Sequence, residues 1–517
     1  MDAGPRGPFA LAALVGIVVF AMLAARLDFV CDDAYITFRY ARNWADGHGL
    51  VYHVGTDAPV EGYSEFLWAL FVGVGMKLGI APEIASRVVS YAAGAALVVL
   101  VARASARRFG PSAPATFGAT LFAASAPPIS AWSSGGMATM PAVTLGFGLF
   151  LAATRRVPEG VSIARAAALP AVLASALALT RADGALQVAL VLGPLIALGA
   201  ASTERRRNAA VAFTAAIVSA AAFGLHVLWR SATYGDWMPN TARVKLGFSA
   251  RATERGLDYV LWNLYSMPGI ALAVALGLVG LWLARRALGG PVAASCATAL
   301  AGTLSYAVAT GGDFMCFARF LAPAVPFAAL GLAALLHRIP IAPAAGALGL
   351  LVSGTSAAAS FDVDVLPRGL RASHHFRHNQ RLGGVTPTES EYEQWARMKE
   401  RAADWGVLGR ALRTHVPPGS SIVHGAVGAI GYFSGLRIYD RNGLVTREVA
   451  LREPHEELRS PGHDKMVPST FFLKDRPDYL GVGIAPGSAA DAVRARGWLV
   501  LGATERPDEL LWGEPTP

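Results

Sequence analysis

Residues 8–44 read PFALAALVGIVVFAMLAARLDFVCDDAYITFRYARNW, and the change of character near residue 27 decides how the rest of the chain is read. A membrane-spanning helix needs about 20 mostly apolar residues, and 8–27 is such a stretch. It could pass for a signal peptide. Only Arg6 precedes it, however, and no small-residue cleavage pattern stands before the polar segment, so a retained anchor is expected. Directly behind it come Cys31, Asp32 and Asp33, two adjacent acids at the edge of the bilayer.

Working outward, ten more stretches have the length and apolarity to span: 84–103, 112–130, 136–153, 164–180, 184–201, 208–229, 266–284, 291–310, 317–336 and 339–360. Composition agrees. Of 517 residues 54% are hydrophobic and 16% charged, where soluble domains carry about 25% charged residues. A mean hydropathy of +0.42 also excludes a disordered chain. Three cysteines exclude a disulfide scaffold or a Cys-rich metal site. The net charge of +9 fits basic cytoplasmic loops better than nucleic acid.

Those loops set the orientation. With the N-terminus inside, Arg103, Arg107 and Arg108 fall inside, as do Arg155, Arg156 and Arg165, Arg205–Arg207, Arg285 and Arg286, and Arg338. This requires that Phe66–Leu78 does not cross. The stretch is short, follows Glu65 and contains Lys77, so it is expected to lie at or dip into the outer interface. The first outer loop then runs over 28–83, and the outside also receives 127–135, 181–184, 230–258, 311–319 and everything from Phe361 on. The expected class is a polytopic α-helical membrane protein of about eleven spans (residues 1–360) with a C-terminal α/β domain outside (361–517). In that tail Glu391–His415 reads as a helix and Pro417-Pro418-Gly419 as a turn. Ser421–His424, Arg437–Tyr439, Tyr479–Val482 and Trp498–Leu501 read as strands.

Four outer loops carry candidate chemistry. Asp32 and Asp33 point about 100° apart on a helix, so one can act as general base while the other caps the helix or holds a cation. The plain alternative is that both cap a helix whose Phe38, Tyr40 and Trp44 face lipid. Thr233–Thr241 joins turn residues and aromatics to Arg230, Arg243 and Lys245, cations suited to a lipid-linked phosphate; an interfacial Tyr/Trp belt is its alternative. Gly311-Gly312-Asp313 with Arg319 would admit a ligand close to the backbone, or is a Gly turn with an Asp–Arg pair. At Arg181-Ala182-Asp183-Gly184 the ion pair is the expected reading. His374, His375 and His378 cluster without a fourth ligand at zinc spacing, so a solvated loop is expected and no metal site is assigned. Cys31 and Cys316, both outside, leave a disulfide open.

Together the loops resemble a family of bacterial GT-C glycosyltransferases, nearest the terminal arabinofuranosyltransferases of actinobacterial cell walls. The resemblance rests on Asp32-Asp33-Ala34-Tyr35-Ile36-Thr37-Phe38-Arg39-Tyr40, Val60-Glu61-Gly62-Tyr63-Ser64 and Leu67-Trp68. It continues through Arg181–Gly184, Tyr234–Thr241 and Gly311–Met315 with Arg319-Phe320, then the tail at Gly428–Leu436 and Pro461–Lys465. It implies a multi-pass enzyme of the bacterial cell membrane that moves a sugar, arabinofuranose first among candidates, from a polyprenyl-phosphate donor to a cell-envelope glycan. It also implies Asp32 and Asp33 as the catalytic acids, with Asp32 favoured as base because it lies nearer the bilayer. Arg230, Arg243, Lys245, Arg319 and Arg181 are the expected phosphate ligands, and Glu61, Tyr63, Tyr234, Asp236, Trp237, Asn240 and Asp313 the expected substrate contacts. No cofactor is implied, although a divalent cation stays open. One departure stands out. The family's Ser-Gly-Leu-Glu-Thr-like stretch is here Gly135-Gly136-Met137-Ala138-Thr139, with Ala138 in place of the acid.

The layout suits such a donor, whose tail stays in the bilayer while its phosphate sits at the interface. No Gly-rich nucleotide loop is present. A carboxylate would take the acceptor's proton and the phosphate would leave in a single inverting displacement. The competing class is a transporter or flippase, which would place charge inside its spans at the midplane. Here the apolar stretches are nearly free of charge. A scaffold would need no converging acids and cations.

Overall fold

The computed structural model describes residues 6–517 apart from 57, 111, 203–204, 246–248, 368–388, 456–459, 481–498, 504–509 and 514–517. His374, His375, His378, Val482 and Trp498 lie outside the described residues.

The chain enters through α1 (Arg6–Arg26), and its first loop folds into α2 (Asp32–Ala45) and α3 (Phe66–Lys77). Then follow α4 (Pro82–Phe109), α5 (Ala113–Ser125), the short α6 (Pro127–Ala131), α7 (Thr139–Ala153), α8 (Ile163–Thr180), α9 (Gly184–Ala200) and α10 (Arg206–Tyr234). A second outer excursion holds α11 (Asn240–Lys245) and α12 (Ala250–Ser266). The series closes with α13 (Pro268–Leu288), α14 (Gly290–Ala309), a 3-10 turn at Arg319–Ala324, α15 (Val325–Leu336) and α16 (Ala342–Ala357).

Among the described residues, eight helices are long and apolar enough to cross a membrane. The other three expected spans are shorter, and local chemistry says why. The stretch 112–130 breaks at Ala126, held extended (φ −70°, ψ 119°) by the following Pro127, so α5 has only 13 residues. The stretch 136–153 begins at Thr139 because Gly136 has a left-handed φ of 83°, leaving α7 with 15 residues; α9 has 17. α5 and α7 sit inside the bundle, where Phe122, Phe147 and Phe150 are fully buried. α3, with 12 residues, is about 18 Å long at 1.5 Å per residue, well short of a bilayer. Phe71 and Val74 on it, and Leu78 just after it, are exposed.

Lipid supplies no hydrophobic drive between helices, so close contact needs small residues. α13 and α15 show this: a Cβ on Gly277 would stand 2.9 Å from the Ala328 carbonyl, and one on Gly331 would run into Gly277. The arginine-bearing loops meet at one end of the bundle. Arg108 donates to Thr154 (2.7 Å), Arg207 to the Pro158 carbonyl (3.4 Å) and Arg338 to the Leu283 carbonyl (2.9 Å).

The tail begins with α17 (Glu391–His415), capped by Ser390 and Glu393 in a reciprocal capping box. β1 (Ser421–His424) leads through α18 (Ala429–Ser434) to β2 (Arg437–Asp440), a right-sized parallel crossover. After α19 (Arg447–Ala450) come β3 (Tyr479–Leu480), β4 (Leu499–Ala503) and β5 (Leu510–Gly513). The sheet order is β2-β1-β3-β5-β4, parallel on the first half and antiparallel on the second. The sequence reading did not anticipate β5.

This tail docks on the first loop. Arg39 donates to the carbonyls of Gly431 (2.8 Å) and Leu436 (2.8 Å) and lies 4.1 Å over the Tyr52 ring. Asn240 donates to the Gly443 and Leu444 carbonyls (2.6 and 3.0 Å), and Arg255 grips both oxygens of Asp464 (2.9 and 3.0 Å). Phe38 and Tyr40 are therefore fully buried, not turned to lipid as the capping alternative supposed.

Candidate active site

α2 starts at Asp32 itself, with Cys31 as N-cap, so both carboxylates sit in the first turn where the helix dipole favours negative charge. They then diverge. Asp32 Oδ1 accepts the Ala429 N–H at 2.7 Å and so ties α2 to α18. Burial pushes its pKa up to about 7; the neighbouring Asp33 adds to this, while the Ala429 and Gly428 amides work against it. Asp33 turns to Lys245, with Nζ and Oδ2 3.7 Å apart. Lys245 lines a cavity of about 660 Å³.

That cavity has two characters. Leu179, Leu186, Leu190 and Phe223, from α8, α9 and α10, make an apolar wall. The polar wall carries Glu61, Arg181, Arg230, Lys245, Asp313 and Arg319, each expected from sequence, and with them Glu65 and His226, which were not. The 3-10 turn and the glycines before it aim the last pair. Gly311 and Gly312 have φ of 80° and 78°, a region most residues avoid. Arg319 Nε then donates to Asp313 at 2.7 Å, with its guanidinium 5.3 Å over Trp132.

Most cations are already held. Arg181 pairs with Asp183 at 2.7 Å, the arrangement the sequence favoured there. Arg230 grips Glu61 and also touches His226 (3.0 Å). Arg243 makes two 2.7 Å bonds to Asp236, which hold that carboxyl below its ordinary pKa. Among the described residues Lys245 is held least, by one 3.7 Å approach, and keeps a side chain 32% exposed.

Several expected contacts stand outside the cavity wall. Tyr63 and Tyr234 are buried with their hydroxyls 3.3 Å apart, and Tyr234 donates to the Leu50 carbonyl. Asp236 and Arg243 satisfy each other, Asn240 serves the tail, and Trp237 is 61% exposed. Their role here is to shape and anchor the loop that presents Lys245. Glu65 and His226 were missed, and the Pro461–Lys465 stretch, quoted above for the resemblance, was not assigned to the site. Glu65 is a buried carboxylate on the cavity wall, and the sequence signal was only a charge abutting Phe66-Leu67. Pro461 joins the wall from the tail, with Gly462 beside Lys245; the half-buried His463 follows, and its ring meets Phe314. Burial lowers the His463 pKa.

The donor set does not suit a divalent cation. Among the described residues no three His, Cys, Asp or Glu side chains converge, and Glu61 and Asp313 are each held by an arginine. Cys31 and Cys316 are both buried free thiols, and Cys31 Sγ contacts the Gly135 carbonyl at 3.1 Å, so no disulfide joins them.

Among curated proteins none matches the sequence. Residues 390–509 match a domain of unknown function (DUF8728). Solved structures are similar over nearly the whole chain. ArnT from Cupriavidus metallidurans bound to undecaprenyl phosphate aligns with a TM-score of 0.63 at 14% identity, over 99% of this chain and 100% of that one. The Archaeoglobus fulgidus oligosaccharyltransferase tethered with an acceptor peptide aligns at 0.52 and 13%, over 94% of this chain and 71% of that one. Arabinofuranosyltransferase AftD from Mycobacteria gives 0.46 at 15%, over 100% and 42%, too loose to bear on the sugar. The fold is therefore the GT-C fold, with the sheet-containing tail as its C-terminal part.

Proposed function

We propose that the chain is a membrane glycosyltransferase that takes a sugar from a polyprenyl-phosphate donor and passes it to an extracytoplasmic acceptor. The observation that carries this reading is the two-sided cavity. An apolar wall between helices continues into a polar one whose weakly engaged Lys245 approaches Asp33, a carboxylate that itself stands just outside the cavity wall. A prenyl chain suits the first part and its phosphate the second. Two proteins of the same fold have been solved with such lipids, ArnT bound to undecaprenyl phosphate and the archaeal oligosaccharyltransferase AglB in complex with a dolichol-phosphate.

The chemistry follows from the side chains. Asp33 takes the proton of the acceptor hydroxyl, and that oxygen attacks the anomeric carbon from the face opposite the phosphate. The bond from the anomeric carbon to the phosphate oxygen breaks, and polyprenyl phosphate leaves with its added charge matched by Lys245. One displacement inverts the anomeric configuration. Asp33 replaces Asp32 as the preferred base because the Asp32 oxygen is committed to Ala429, while Asp33 faces the cation that would hold the leaving group.

In this reading the site loops lie outside and the arginine loops inside, so the N-terminus is cytoplasmic, the tail extracytoplasmic and the membrane that of a bacterial cell. The loop resemblance puts arabinofuranose and an envelope glycan first among substrates. The test is to incubate the purified, bilayer-reconstituted protein with polyprenyl-phosphate pentoses and hexoses and to follow loss of lipid-linked sugar and product configuration. Consumption of one donor with inversion is expected. Consumption of none, with no binding of undecaprenyl phosphate, would end the proposal.

A further inference from the structure

Glu65 takes no part in the displacement, yet it is 2% exposed and lines the cavity with Met137, Arg181 and Arg319. Its Oε1 accepts the Ala138 N–H at 3.2 Å. Its Oε2 has no hydrogen-bond partner among the described residues. Nor does it form an ion pair among them: Arg181, Arg319 and Lys245 act on it through their field, while burial, the larger influence, raises its pKa. Glu65 is the N-cap residue of α3, but its side chain bonds none of that helix's amides, so capping does not account for it. A buried carboxylate oxygen left open is costly. Such a group on a cavity wall points to a ligand that completes it.

The contact with Ala138 adds meaning. Residue 138 itself carries only a methyl group. Here a carboxylate arrives at the same backbone from 73 residues earlier.

We propose that Glu65 is a specificity-determining residue of the donor site, its Oε2 accepting a hydrogen bond from a hydroxyl of the donor's sugar. This rests on the lipid-phosphate-sugar reading above. The alternatives fit less well. A carboxylate repels the phosphate. An amino sugar would bring a positive charge into the field of Arg181, Arg319 and Lys245. A metal ion would want a second free carboxylate, and Asp183, Asp313 and Glu61 are engaged with arginines. A neutral hydroxyl donates its proton and adds no charge.

The experiment compares wild type with Glu65→Gln, which keeps the oxygen facing Ala138 and replaces the open one by an amide. Affinity for undecaprenyl phosphate, which carries no sugar, should be unchanged. kcat/KM for the lipid-linked sugar that the wild type consumes fastest should fall about ten- to a hundredfold, the worth of a hydrogen bond to a charged group. With a series of monodeoxy donors, the variant should match wild type on the one donor that lacks the partner hydroxyl. Equal turnover of every donor by both proteins would overturn the proposal, as would a loss that is the same for all deoxy donors. A donor with an amine preferred to its hydroxyl counterpart would overturn it too. If the Gln variant fails to bind undecaprenyl phosphate, Glu65→Asp, which keeps the charge and withdraws the oxygen, carries the same comparison. A wild type that neither binds that lipid nor consumes any donor would instead remove the site reading itself, and this inference with it.

Discussion

Asp32 and Asp33 are neighbours in sequence and serve different masters. Asn keeps the size of either but takes no proton. Asp33→Asn should therefore bind undecaprenyl phosphate normally and turn over about 10²–10⁴ times more slowly. Asp32→Asn should keep much of its turnover and change stability instead. The folded pKa of Asp32, about 7, lies above the roughly 3.9 of an unfolded aspartate. Folding thus favours the protonated form, so this contribution is fully present below about pH 4 and is lost as pH rises through 7. Thermal melts at pH 5 and pH 8 should differ less in Asp32→Asn than in wild type; an identical difference would detach Asp32 from the tail. Lys245 makes a second residue-scale prediction. Lys245→Ala should weaken undecaprenyl phosphate binding about ten- to a hundredfold in a titration. Arg243→Ala should not, because its guanidinium is spent on Asp236. Sequence showed that these loops hold acids and cations. It did not show their pairing, since Lys245–Asp33 and Glu65–Ala138 depend on which distant loop arrives beside each.

At the scale of elements, α2 was expected as a helix and its surroundings were not. Its aromatics Phe38, Tyr40 and Trp44 look lipid-facing from sequence because nothing local announces that the tail will pack against this helix. Two of its side chains bind the tail by backbone carbonyls, which carry no sequence signature: Arg39 to Gly431 and Leu436, Arg42 to Tyr432. The reverse holds for α17, whose bounds were legible because Ser390 and Glu393 announce its start. The broken helices show the same division. Pro127 and Gly136 are visible as breakers, yet a window of apolar residues hides them. Arg39→Ala would leave buried carbonyls without donors and remove the stack on Tyr52, a cost of about 2–5 kcal/mol. Limited proteolysis should then cut the tail far sooner than in wild type, with the spans intact; an unchanged digestion rate would mean that Arg255–Asp464 and α17 suffice.

Taken whole, the molecule has a cavity lined by paired acids and cations in one place and the loops of Arg108, Arg207 and Arg338 gathered in another. A cysteine placed at Arg107 should be labelled by an impermeant reagent only from the cytoplasmic side, and one placed at Trp237 only from outside; the opposite pattern would invert the orientation. The class of fold was legible because hydropathy and the arginine bias are summed over hundreds of residues. The site was legible only in outline, because it is drawn from 28–65, 181–184, 230–245, 311–319 and 461–464. One consequence concerns biogenesis. The carboxylate of Asp32 is bonded to an amide 397 residues further along the chain. At about 5–20 residues per second, synthesis takes some 20–80 s to supply that partner. Throughout that interval the first loop waits without its cover, and α2 keeps a bare aromatic face. On the proposed function and orientation, a nascent chain holds its anchor before it holds a competent centre, and a copy whose tail is left in the cytosol stays inert however well its spans insert.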